Sequence, residues 1–256
     1  MRPTRFRRPT HVAPIAGVLA LFVAVGALPA QEESLDLGSI DFPVSATGEA
    51  RHQFEVGVLA LHSFWYEEAR DHFRKARELD PEFAMAYWGE AMTHQHLLWG
   101  PAGEEGLAAG RDVLRQLDRR AAEQGLDWTD RERAWVEAVR RLYGEDGHEE
   151  RRQAFAAVME SLAERYPEDD EAEIFAALAR MAVPGFELDD PEDVVSVAAP
   201  LERVYRRRPE HPGVLHYLIH VYDSPTFARM GLRQARVYAD IAPASSHALH
   251  MPSHIF

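Results

Sequence analysis

The chain has 256 residues, 46% hydrophobic and 27% charged, a balance that suits a globular body and excludes a low-complexity or disordered one. Its formal net charge of −14 argues against nucleic acid or an anionic membrane surface as a partner. With no cysteine, disulfides, zinc–thiolate sites, iron–sulfur clusters and thiol catalysis are ruled out, so a metal site must use His, Asp or Glu.

The chain opens with a basic stretch, Arg2 to Arg8, then an apolar run from Ala13 to Leu28 and a small residue at Ala30. This is the layout of a secretory signal peptide over residues 1–30, cut after Ala30. The apolar run falls short of the ~20 residues a spanning helix needs, so no stable membrane span is expected after cleavage. The mature protein is expected in the periplasm or outside the cell. Residues 31–48, with Gly38, Pro43 and Gly48, read as a polar linker.

From residue 49 the pattern is helical, and strand-like alternation is nearly absent. The stretch "EARDHFRKARELDPEFAMAYWGEAM" holds Ala69, Phe73, Ala76 and Pro81 at the spacing of the second helix of a tetratricopeptide repeat. The small residues allow close approach of paired helices, Phe73 fills the groove between them, and Pro81 ends the helix. Tyr87 and Ala91 take the aromatic and small places of the next helix. Proline landmarks recur at Pro167, Pro209 and Pro243, the last two 34 residues apart, which is the repeat period. Thr129 and Glu132 form a capping box. Helices are predicted near 49–64, 66–79, 84–98, 104–123, 130–143, 148–165, 170–182, 191–207, 212–222, 226–241 and from 246 onward.

The fold class expected is all-α: a solenoid of stacked antiparallel helix pairs over 49–256. Phe256 falls inside an unpaired first helix with no polar cap, which predicts a C-terminally truncated sequence. The blocks "FAMAYWGEAM", "HPGVLHYLIHVYDSP" and "HALHMPSHIF" resemble a group of exported bacterial tetratricopeptide-repeat proteins over about 49–256. The resemblance implies the fold and the export, and no reaction.

In such repeats the first helices line a concave groove. Phe54, Val58, His62, Trp88, Met92 and His96 take groove positions in the first two, as a ligand wall or as packed aromatic core. Further on, His216 and His250 stand one period apart, and so do His220 and His254. Each pair is spaced i, i+4 on one helix face. These four imidazoles are expected to converge, with His247 and Asp223 at the margin. Neutral imidazole is the common ligand for Zn, Cu or Ni. Pro252 either kinks the last helix or begins a new one, and in the second case His250 leaves the shared face.

Two functions follow. One is a scaffold holding a peptide, a protein or a small ligand in its groove. The other is a metal-binding protein or metal-dependent enzyme built on the histidines. Catalysis is the weaker reading, because neither HExxH nor a glycine-rich phosphate loop occurs and "HYLIH" lacks a glutamate base.

Overall fold

The computed structural model describes residues 35–125 and 128–256. The proposed signal peptide, with His11, lies outside the described residues, as does the start of the linker. Among the described residues the protein is all-helical, with no strand.

The helices are α1 (Gly48–His62), α2 (Tyr66–Leu79), α3 (Ala84–Met92), α4 (Glu104–Gln124), α5 (Asp130–Arg141), α6 (His148–Arg165), α7 (Asp170–Met181), α8 (Pro191–Arg207) and α9 (Pro212–Val221). Short elements follow: the 3-10 turn Ala228–Gly231, α10 (Leu232–Ala235), α11 (Tyr238–Ile241), α12 (Ser246–His250) and the 3-10 turn Met251–His254. Helices that follow one another in the chain pack against each other in pairs.

Among α1–α9 the odd-numbered helices are inner and the even-numbered ones outer. Every residue of α3 is buried, and nearly every residue of α9, whereas α2 buries only Tyr66, Ala69, Phe73 and Ala76. Phe73 behaves as its spacing predicts. It is fully buried, and a Cβ at Gly89 would stand 2.3 Å from its ring. Close helix approach therefore depends on glycine at that place.

The inner helices face one another across a shared aromatic core. Trp88 of α3, Trp135 of α5 and Phe175 of α7 meet edge to face at 5.1–5.4 Å. Helix α1 also packs against α9, so the inner layer curls back on itself. Phe54, Val58, His62, Trp88 and Met92 are thus at most 2% exposed, and only His96 of the expected groove residues reaches solvent. They form packed core and not an open ligand wall, because the opposing inner helices fill the space they face.

Three sequence expectations are corrected. Residues 35–48 are not a free linker but part of the same compact unit as the helices. Leu37 and Phe42 are fully buried, Phe42 lies 5.0 Å from Trp135, and Ser45 donates twice to Glu132. Helix α3 stops at Met92, not near 98. There the Thr93 hydroxyl donates to the Glu90 carbonyl and Arg70 donates to the Thr93 carbonyl, which ends the ladder. The helix expected over 226–241 breaks into three pieces around Gly231, where a Cβ would stand 2.9 Å from Ile255.

The capping box forms as expected: the Thr129 hydroxyl accepts from the Glu132 N–H, and the Glu132 carboxylate accepts from the Thr129 N–H at 3.0 Å. Replacing Gly89 by Ala should overpack the α2–α3 contact and cost ~1–3 kcal/mol. A urea melt that gives the same midpoint for G89A and the parent would refute this packing argument.

Candidate metal centre

Helix α9 begins at Pro212, a residue suited to the first helical turn, with His211 as N-cap. It carries His216 and His220 one turn apart. Helix α12 is capped by Ser245, whose hydroxyl accepts from the Ala248 N–H at 3.3 Å. Ala248, Met251 and Ile255 are buried and anchor this last segment, while His247, His250 and His254 run beside them at the same spacing. Pro252 sits in the first turn of Met251–His254, so the α-helix passes into a tighter turn without a proline in its interior.

The structure brings His216, His220 and His247 together, with one ring nitrogen of each within 4.8 Å of the others. His216 Nε2 and His247 Nε2 are 3.0 Å apart. His220 Nε2 is buried with no hydrogen-bond partner. His247 was expected at the margin and is central instead. His250 and His254 pair with each other, their Nε2 atoms 3.0 Å apart, and His254 Nδ1–H donates to Asp223 at 2.7 Å. The four imidazoles expected to converge therefore divide between two adjoining groups. The reason is local: α12 starts at Ser246, so its first turn faces α9 and its end lies outward at the exposed rim.

The tautomer of His216 follows from its neighbour. His216 Nδ1 lies 2.5 Å from the main-chain carbonyl of His62. A carbonyl only accepts, so Nδ1 carries the proton and Nε2 of the neutral ring presents its lone pair to His247 and His220. Such a backbone bond on the far nitrogen is the usual support of a metal-ligating histidine.

Burial pushes the His216 imidazole well below its ordinary pKa, and the neighbouring imidazoles push it further. The same causes lower His220 to about 3 and His247 to about 4. All three rings are thus neutral and ready as ligands at any pH above mildly acidic.

Aromatic side chains enclose the three rings. Phe64 stands 4.4 Å from His216 and 5.6 Å from both His220 and His247. It holds a left-handed backbone (φ 52°), which a bulky residue adopts only under packing constraint. Tyr238 stacks on His216 at 5.4 Å, and Trp99 meets His247 edge-on at 5.6 Å.

Behind the centre lies a second buried group that sequence reasoning missed. Glu171 accepts from His62 Nε2–H at 2.9 Å and from His211 Nε2–H at 3.0 Å. Tyr217 donates to His62 Nδ1 at 3.1 Å, and His211 Nδ1 accepts from the Val214 N–H. Burial pushes the Glu171 carboxyl up, but the two imidazoles facing it outweigh burial and hold it below the usual carboxylate range. Every polar atom here already has a partner within the protein, so the group ties α1, α7 and α9 together. Gly213 allows this, since a Cβ there would stand 2.4 Å from His62 Nδ1. Position 62 signalled it only as a histidine amid apolar residues; Glu171 was one acid among 42 acidic residues.

A separate cavity of about 530 Å³ between α6, α7 and α8 shares no residue with the histidines. Its charges are largely paired, with Arg203 and Arg207 both bound to Glu173. No known protein family, curated protein or solved structure matches the chain. No helix among the described residues is long and apolar enough to cross a membrane.

The lowered histidine pKa values set the sign of the pH dependence. Unfolding returns these rings to about 6.5, so between the folded and unfolded values the unfolded chain binds more protons. Stability is full above about 6.5 and falls as pH drops towards the folded values. Glu171 adds loss in the same direction, but only below its ordinary value near 4.5. Urea midpoints of the metal-free protein should therefore decline from pH 7 to pH 5, and less steeply in the H220Q/H247Q variant. A flat profile for the parent would contradict the neutral buried rings.

Proposed function

We propose that this protein binds a divalent transition metal through Nε2 of His216, His220 and His247. The observation that carries the reading is the facing pair of His216 and His247 nitrogens, one of them held as a lone pair by the His62 carbonyl. Two imidazoles bonded to one tetrahedral ion at about 2.0–2.1 Å stand ~3.3 Å apart, close to the 3.0 Å between these atoms. The partnerless His220 nitrogen supplies the third donor. Three neutral imidazoles without thiolate suit zinc, copper or nickel. The ligands carry no charge, so a bound ion keeps its full charge among apolar walls and attracts water or an anion to its remaining position. This supports metal binding and assigns no reaction.

The helix pairs, the Ala69–Phe73–Ala76–Pro81 spacing and the 34-residue interval support a degenerate tetratricopeptide-like repeat, curled until its concave side is filled. The basic start and apolar run of residues 1–30 support export to the periplasm or beyond. N-terminal sequencing that recovers Met1 on protein from the cytosolic fraction would count against export. The groove-binding scaffold loses its carrier, since five of its six lining residues are sealed in the core.

Zinc, nickel or copper added near pH 7 should bind tightly to the purified protein, as read by calorimetry and by metal analysis after gel filtration. The H216A/H247A variant should lose affinity by about a hundredfold or more, in keeping with the loss of two of three ligands. Unchanged affinity in a variant that retains its helical circular dichroism would overturn the assignment.

A further inference from the structure

The histidines at the rim have a geometry of their own. His250 and His254 are exposed, whereas His216 is fully buried and His220 and His247 are half-buried. His254 Nδ1–H is held by Asp223, a carboxylate that only accepts. The proton is thereby fixed on Nδ1, and Nε2 presents its lone pair toward His250 Nε2, 3.0 Å away. The rim repeats the inner arrangement: two facing ring nitrogens, one with its tautomer fixed from behind. The support is a carboxylate here and a carbonyl inside.

The two groups are joined by His247. Ring centroids are 4.9 Å apart from His254 to His250, 6.3 Å from His250 to His247, and 4.8 Å from His247 to His216. Consecutive donors thus lie within about one side-chain rotation of each other, and the sequence of rings runs from solvent to the buried end. With two imidazoles and a carboxylate behind them, the rim offers fewer donors than the inner group and keeps its ion open to water. Fewer donors and solvent access mean weaker binding and faster exchange. An acidic chain, at −14, draws cations to such a rim.

We propose that His250 and His254, aligned by Asp223, form a second and weaker metal-binding pair that captures the ion from solvent and passes it through His247 to the inner site. This rests on the inner metal centre proposed above. Direct entry to that centre is narrowed by Phe64, which packs against all three rings, and by Trp99, which packs against His247. The rim pair then acts as the mouth through which the ion exchanges ligands one at a time and never travels bare through the aromatic wall.

Cobalt(II) serves as the probe, since its visible absorption reports imidazole coordination. Full-length protein should bind two cobalt ions, one tightly and one weakly, with separate spectra. In stopped flow, the H250A/H254A variant should bind one ion, keep the inner spectrum and inner affinity, and load the inner site on the order of tenfold more slowly, because the ion must then enter without the ligands at the mouth. D223N should also slow loading while leaving inner affinity unchanged. H216A/H220A should retain only the weak ion. These substitutions at 223, 250 and 254 lie at an exposed rim, so folding is checked by circular dichroism and not assumed. Equal stoichiometry and equal loading rates in the parent and H250A/H254A would overturn the capture pair and leave the inner centre standing. Loss of all binding in H250A/H254A would also overturn it, since the rings would then form one site. If H216A/H220A and the parent bind cobalt identically, the inner centre itself fails and the relay with it.

Discussion

A single hydrogen bond, from His216 Nδ1–H to the main-chain carbonyl of His62, links the architecture to the candidate chemistry. The carbonyl belongs to the last residue of α1, and the imidazole to the middle of α9. These residues are far apart in the chain and meet because the inner helices curl until α9 returns to α1. The bond does two things at once. It satisfies an orphan carbonyl at a helix C-terminus, and it decides which nitrogen of His216 carries the proton. Without it, the ring could present either nitrogen to its neighbours, and the facing pair with His247 would not be defined.

The position of that carbonyl is itself held by the side chain of the same residue. His62 points the other way, into Glu171, with Tyr217 on its second nitrogen. A buried carboxylate is costly unless its hydrogen bonds are complete, and two imidazole N–H groups complete them here. Removing one partner would leave the others buried and unpaired, which makes the group a rigid anchor. Strain is placed next to it: Phe64 adopts a left-handed backbone two residues on and lays its ring against all three imidazoles. The three-histidine group is thus held in place by the core.

The close packing of the inner helices bears on the candidate function. In an open repeat array the first helices offer a groove to a peptide. Here Trp88, Trp135, Phe175 and Phe42 occupy that volume, with Phe42 supplied by the segment before α1. At the margin where α9 meets the C-terminal turns, His250 and His254 are exposed beside the apolar side chains of Leu249 and Phe256.

Helix positions, the capping box at Thr129, the role of Phe73 and the phase that sets His216 above His220 were legible in the sequence, because each depends on residues within one or two turns of one another. The exceptions follow the same rule. Helix α3 ends early because Arg70, from another helix, takes the Thr93 carbonyl, and 226–241 breaks where Ile255 packs on Gly231. Residues 35–48 read as linker because their few apolar residues show no period, yet Phe42 finds the core. The histidine blocks marked the right region, but repeat phase alone favoured His250 over His247. Only tertiary structure could reverse that order, since α12 begins at Ser246 and its first turn, not its last, faces α9. Glu171 and the His62 carbonyl carried no local signal at all. A proton's place on a ring is decided by the group that accepts it, and here that group is distant in the sequence and brought near only by the fold.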